Sequence, residues 1–328
     1  MYRRRLGILF IGLLWGTVAA RADIALLLEE PFGQFGGMTP TGHAAIYLSR
    51  VCAASPVSLR RCNKGEPGAV ISRYHRVGGY DWLAIPVIPY LYAVDRAEQI
   101  PREVGENDVA SLRDDYRRRY LGKIAPDTSD GFAPEGDWIQ LVGAAYDRTT
   151  YTYELETSEE QDDKLIQVFN SGDNETTFRL LFHNCADFAR ELVNFYYPKA
   201  IHRSIIADVG IMTPKQAAKS LVRYGKRHPS LQISSFVIPQ VPGTVERSRP
   251  VRGVLEALVK TKKYILPLAP LALIHPYFGG GLVVAWIQGG RFNPRSVAGV
   301  AGSEPETGMI ARLLQPQEIA APVIPPAD

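Results

Sequence analysis

The run that opens at Gly42-His43 and continues through Ala44, Ala45, Ile46, Tyr47 and Leu48 most restricts how this chain can fold. Successive side chains of an extended segment point to opposite faces, so Ala45 and Tyr47 share one face and Ala44, Ile46 and Leu48 the other. The pattern predicts a strand that buries one side, with His43 at its beginning. Residues 69–74 form a second strand-like run that can pair antiparallel with the first, leaving 50–68 as a long connection. Residues 24–28, 149–155 and 176–182 add further short strands. The apolar stretch 83–94 is broken by Pro86 and Pro89, which favours an edge or an extended loop over a central strand.

Helical patterns lie between these strands. Residues 103–120 read as a charged surface helix in which Arg117, Arg118 and Arg119 make a solvated face. Thr157 and Glu160 have the spacing of a capping box for the helix that follows, with Leu165, Val168 and Phe169 as its buried stripe and Gly172 as its end. Residues 185–197 carry Phe188, Leu192, Phe195 and Tyr196 along one face and stop at Pro198. Thr213-Pro214 with Gln216 marks another helix start, and Gly225 its end. The expected class is α+β, a small antiparallel sheet packed against helices.

The ends differ from the middle. Arg3, Arg4 and Arg5, the apolar run 6–15 and Ala20-Arg21-Ala22 match a signal peptide, which makes 1–22 a removable segment and the protein exported, periplasmic or extracellular. The formal charge of +3 includes those four arginines, so the mature chain stands at −1, which argues against a nucleic-acid partner. Residues 23–235 make the main domain. Residues 236–301 form a Pro- and Gly-rich extension in which 264–290 lacks any Asp, Glu, Lys or Arg. Its length suits a membrane span, but Pro267, Pro270, Pro276 and Gly279-Gly280-Gly281 break it into pieces, so contact with a membrane through 264–288 is one reading and packing on the domain another. The proline-bearing tail 302–328 reads as flexible.

Three cysteines in an exported chain lead to one pairing, Cys52 with Cys62, which leaves Cys185 free. Cys185 follows His183-Asn184 at the start of a helix, where unpaired N–H groups and the helix dipole stabilise a thiolate and lower its pKa. Asn184 caps that helix. An imidazole next to such a thiol completes a nucleophile and base pair, and the backbone N–H of Cys185 can help to hold an oxyanion. His43 fills the role of base. For the residue that orients its ring, Ser72, Tyr74 and His75 compete, with Ser72 and Tyr74 on one strand face and His75 on the other. An imidazole partner would be His75 and a hydroxyl partner Ser72; the sequence reading takes His75 first. His183 is a rival base, or a zinc ligand in company with His43, His75 and Cys185, but no second cysteine pair supports a metal and no cofactor is expected.

A histidine that opens a strand ahead of an Asn-Cys helix start reverses the order found in papain. Over residues 40–200 the chain resembles the circularly permuted papain-like superfamily, which includes bacterial cell-wall peptidases and amidases of the NlpC type and the lecithin retinol acyltransferase group. The resemblance implies a cysteine hydrolase in which His43 activates Cys185 toward an amide, with cell-wall peptide from peptidoglycan as the substrate expected for the compartment. The alternatives it carries are acyl transfer or phospholipase chemistry on lipid, and a catalytically silent binding module of the same fold.

Overall fold

The computed structural model describes residues 23–33, 41–175, 178–260, 266, 270, 272–290 and 292–298. The segment assigned to a signal peptide and the tail 302–328 lie outside the described residues. The strands are β1 Asp23–Glu29, β2 His43–Leu48, β3 Val51–Ser55, β4 Ser58–Arg61, β5 Ala69–Ser72, β6 Leu83–Pro86, β7 Thr150–Glu156 and β8 Ser234–Ile238. The helices are α1 Val87–Tyr92, α2 Glu106–Tyr116, α3 Ala144–Asp147, α4 Glu159–Ser171, α5 Cys185–Tyr196, α6 Ile205–Asp208, α7 Pro214–Arg227, α8 Val254–Lys260, α9 Pro276–Gly290 and α10 Pro294–Ala298. The class is α+β, as the alternation of patterns implied.

Six strands form one antiparallel sheet in the order β6-β5-β2-β1-β7-β8, and β3 pairs with β4 in a separate hairpin. The antiparallel pairing of the His43 strand with the 69–74 run is present, with Ile46 opposite Ile71 and Leu48 opposite Ala69. The expectation that β2 buries only one side is overturned, because all six of its residues are buried. Its central place explains this, since each face of the sheet carries its own core. Leu26, Ile46, Ile71 and Tyr153 pack with Phe188, Leu192 and Leu221 of the α5 and α7 layer. Leu27, Tyr47, Val70 and Ile85 pack on the opposite face with Tyr90, Val109, Leu141 and Tyr146. The adjacent Ala44 and Ala45 keep β2 thin enough for a layer to approach from either side.

Several local expectations change for identifiable reasons. The 83–94 run supplies the edge strand β6, as the prolines require, and then turns into α1, with Pro86 as its N-cap. In the supposed solvated face of 103–120, Arg117 is only 1% exposed. It binds Asp114, Asp127 and the Ala125 carbonyl and lies over Trp138. The cap of α4 is Ser158 with Gln161, one residue later than the Thr157 pattern. Of 176–182, the described part 178–182 is a turn in place of a strand, closed by reciprocal backbone bonds between Arg179 and His183. A domain boundary at residue 235 would fall inside β8, which completes the sheet, so the folded unit runs past it.

The Cys52–Cys62 disulfide is formed and ties β3 to β4. Such a bond fits an oxidising, exported setting. Among the described residues no helix is long and apolar enough to cross a membrane. Instead α9 packs against α8 and α6.

Candidate functional site

The site lies where β2 begins and α5 starts. Gly42 makes the approach possible: its φ is +73°, and a Cβ there would stand 2.1 Å from the Glu29 carbonyl oxygen of β1. Only glycine accepts both the left-handed backbone and that contact. The next residue, His43, is 7% exposed and lies opposite Glu29 in the β1–β2 register.

Ser72 on β5 meets the imidazole, with Oγ 3.0 Å from Nε2. The same hydroxyl donates to the Ala44 carbonyl at 2.8 Å. A hydroxyl has one hydrogen to give, so Ser72 accepts from Nε2–H and the lone pair of the ring stands on Nδ1. Tyr74 stacks on His43, with ring centroids 5.1 Å apart and planes 22° from parallel. Its hydroxyl is linked by a hydrogen bond to Tyr90, which in turn donates to Glu29. Ser72 at the end of β5 and Tyr74 just beyond it therefore hold His43 together. His75 lines the same cavity as His43 but meets other neighbours, half exposed, with Asp137 at 3.6 Å and Phe178 against its edge. The preference for His75 as the orienting residue does not match this placement: β5 ends at Ser72, the residue that meets the ring, and His75 lies three residues beyond it.

Cys185 is the first residue of α5 and is held by its neighbour. The Asn184 carboxamide oxygen accepts from the N–H groups of Ala186 and Asp187 at 2.9 and 3.0 Å. Its Nδ2 donates to the carbonyls of Leu180 and Met212, at 3.0 and 3.1 Å. One side chain thus caps the helix and ties the 178–183 turn to the segment before α7. The Ala44 N–H, adjacent to His43, hydrogen-bonds to the sulfur of Cys185, which brings the start of β2 and the start of α5 together.

The electrostatics differ from the sequence expectation. Burial pushes the Cys185 thiol up to about 11; the Ala44 N–H opposes the shift and the Glu29 carboxylate adds to it. The sulfur touches the cavity yet is enclosed by protein on its other sides, and loss of water outweighs the helix N-terminus. Burial also lowers His43 to about 3, with the Arg148 cation contributing. The resting pair is thus a neutral thiol and a neutral imidazole.

His43 and Cys185 line one cavity of about 840 Å³. Leu180, Leu181, Ile211, Met212 and Leu258 give it apolar walls, while Arg73 and Arg148 add cationic ones. A second cavity of about 380 Å³, beside Arg113, Asp114 and Trp138, contains neither His43 nor Cys185. His183 sits in the turn before α5 and does not line the large cavity. Among the described residues, the group of three potential ligand atoms that lie close together is Cys52, Cys62 and Glu66, whose sulfurs are consumed by the disulfide. The histidines do not converge with Cys185 on a metal site. Comparison with protein-family models, with curated proteins and with solved structures gives no match for this chain.

Arg148 and Arg73 carry no signal in the sequence that marks them as cavity residues. Both lie in runs that carry no motif, and only the closure of the sheet brings them to the cavity. Arg73 stands between the two residues that hold His43 and was hidden by its place in a strand pattern.

Proposed function

We propose that this protein is an exported thiol enzyme of permuted papain-like arrangement that transfers or releases acyl groups from lipid-like esters. The observation that carries the reading is the apolar cavity that holds Cys185 and His43, together with what surrounds it. Leu180, Leu181 and Phe182, at the turn before the thiol, are half exposed or more. Ile205, Ile206 and Val209 near α6, and Leu273, Ile274 and Tyr277 near α9, are exposed apolar residues on elements that pack with the cavity-lining α8. An apolar surface of this extent marks a contact or ligand site in an exported protein. An acyl chain matches it better than a cell-wall peptide, whose polar groups would go unpaired there.

In this mechanism the Cys185 sulfur attacks the ester carbonyl while its proton passes to Nδ1 of His43. Both groups start neutral, so attack and proton transfer proceed together. The tetrahedral oxyanion is met by the backbone N–H of Cys185, those of Ala186 and Asp187 being held by the Asn184 cap. Collapse forms a thioester on Cys185, and the leaving alcohol takes the proton back from Nδ1. Water or a second alcohol or amine then attacks the thioester and regenerates the thiol. Ser72 keeps the productive tautomer throughout.

The test is incubation of the purified protein with phospholipid vesicles, with short-chain thioesters and with peptidoglycan fragments, followed by mass spectrometry of products and of Cys185. Acyl release with a hydroxylamine-sensitive adduct on Cys185, absent in Cys185→Ala, is expected. Cleavage of peptidoglycan with the lipids untouched would move the substrate to cell-wall peptide. No Cys185-dependent change in any substrate would leave only a binding role.

A further inference from the structure

Arg148 is 2% exposed, and its charge has only part of what it needs. Its Nη1 lies 2.8 Å from Oε2 of Glu29, and its guanidinium carbon sits 4.5 Å from the centroid of the Phe32 ring. Nε and Nη2 are buried and, among the described residues, have no hydrogen-bond partner. These two atoms form the side-on edge of the fork, the edge that grips two oxygens of one anion at once. Arg73 shows what this edge does when it is filled: its Nε and Nη2 hold both oxygens of Asp81, at 2.9 and 2.7 Å. Arg73 still leaves Nη1 buried without a hydrogen-bond partner among the described residues. Both arginines line the cavity that contains His43 and Cys185. A buried donor left unpaired costs free energy, and a ligand oxygen that reaches it recovers that cost.

We infer that the side-on edge of Arg148 is the receptor for an oxyanion carried by the substrate, a phosphate ester or a carboxylate, with the apolar walls holding the attached chain. The inference rests on the proposed reading of the cavity as an acyl site and narrows its substrate to an anionic amphiphile. Glu29 does not fill the role: its Oε2 lies 2.8 Å from Nη1, yet among the described residues Nε, Nη2 and that Oε2 all lack a hydrogen-bond partner. There is also a link to the chemistry: the Arg148 cation is one cause of the weak basicity of His43. An anion seated on Arg148 would offset that field and make Nδ1 a better proton acceptor when the right substrate is bound.

Binding can be tested apart from turnover in the protein carrying Cys185→Ser, by titration calorimetry with octyl phosphate, octanoate and 1-octanol. At least one anion is expected to bind about tenfold or more tightly than octanol, as a charge-assisted bidentate contact requires. Preference for octyl phosphate alone assigns the anion to a phosphate headgroup, and preference for octanoate alone to a carboxylate. Arg148→Lys keeps a cation facing Glu29 but has no fork, and should lose most of the preference. If it does not fold, Arg148→Gln combined with Glu29→Gln removes both members of the ion pair and should lose the preference as well. Equal binding of all three probes to the Cys185→Ser protein, or an anion preference that survives loss of the fork, overturns the inference. Neither result alters the acyl-release assay on the unsubstituted protein, so the two ideas fail separately.

Discussion

At the scale of single residues, the neutral state of the pair sets its pH behaviour. Alkylation of Cys185 by iodoacetamide should rise steadily above pH 8, because burial raises the thiol to about 11. A plateau reached below pH 7 would show a preformed thiolate and contradict this electrostatic picture. His43 contributes in the other direction. Its folded pKa, about 3, lies below the ordinary 6.5, so its contribution to stability is present above pH 6.5 and is lost as pH falls toward 3. Denaturant melts across that window should show an acid slope that His43→Gln flattens. The partner of the ring is testable too: Ser72→Ala should slow Cys185-dependent turnover by about 10- to 100-fold, whereas His75→Ala, which alters the cavity wall but not the contact with the ring, should have a much smaller effect. The sequence already held the means to choose between them. Ser72 and Tyr74 share a face by alternation, and both touch His43; what it did not hold was which face the histidine would take, because that depends on the β2–β5 register.

At the scale of elements, position follows from a few constrained joints. Gly42→Ala places a methyl group against the Glu29 carbonyl at a left-handed φ, and should destabilise the fold by about 2 kcal/mol or more in urea titrations. Asn184→Ala removes the α5 cap and two carbonyl contacts and should cost about 1–2 kcal/mol, with faster proteolysis of the 178–183 turn. Helix starts were the most legible elements. Asn184 and Thr213 cap where polar residues precede an apolar stripe, since capping is local chemistry. Strand burial was less legible, because a strand with Ala44 and Ala45 side by side reads the same whether one face or two are covered. The run 176–182 misled for a similar reason: Leu180, Leu181 and Phe182 look like strand core and are instead exposed around the cavity.

At the scale of the molecule, the disulfide and the cavity are separate matters. Cys52 and Cys62 close a ten-residue separation on the β3–β4 hairpin, and no residue of that hairpin lines the cavity. Replacing both by serine should lower stability by about 2–3 kcal/mol while leaving the alkylation rate of Cys185 unchanged, a comparison of melts against probe kinetics. The α+β class was legible because strand and helix periods are both clear in the chain. The sheet order was not, since β7 reaches its place beside β1 from more than a hundred residues away and β8 then pairs with β7.

The burial that keeps the sulfur protonated has a consequence in the oxidising setting that the Cys52–Cys62 disulfide fits. Peroxide consumes thiolates and largely spares thiols, and free thiolates exchange into any disulfide they meet. In the proposed mechanism the sulfur gives up its proton only as it strikes a carbonyl, which would leave it a poor target for either fate between substrates. The enclosure that slows this nucleophile also preserves it in surroundings oxidising enough to have joined the other two cysteines.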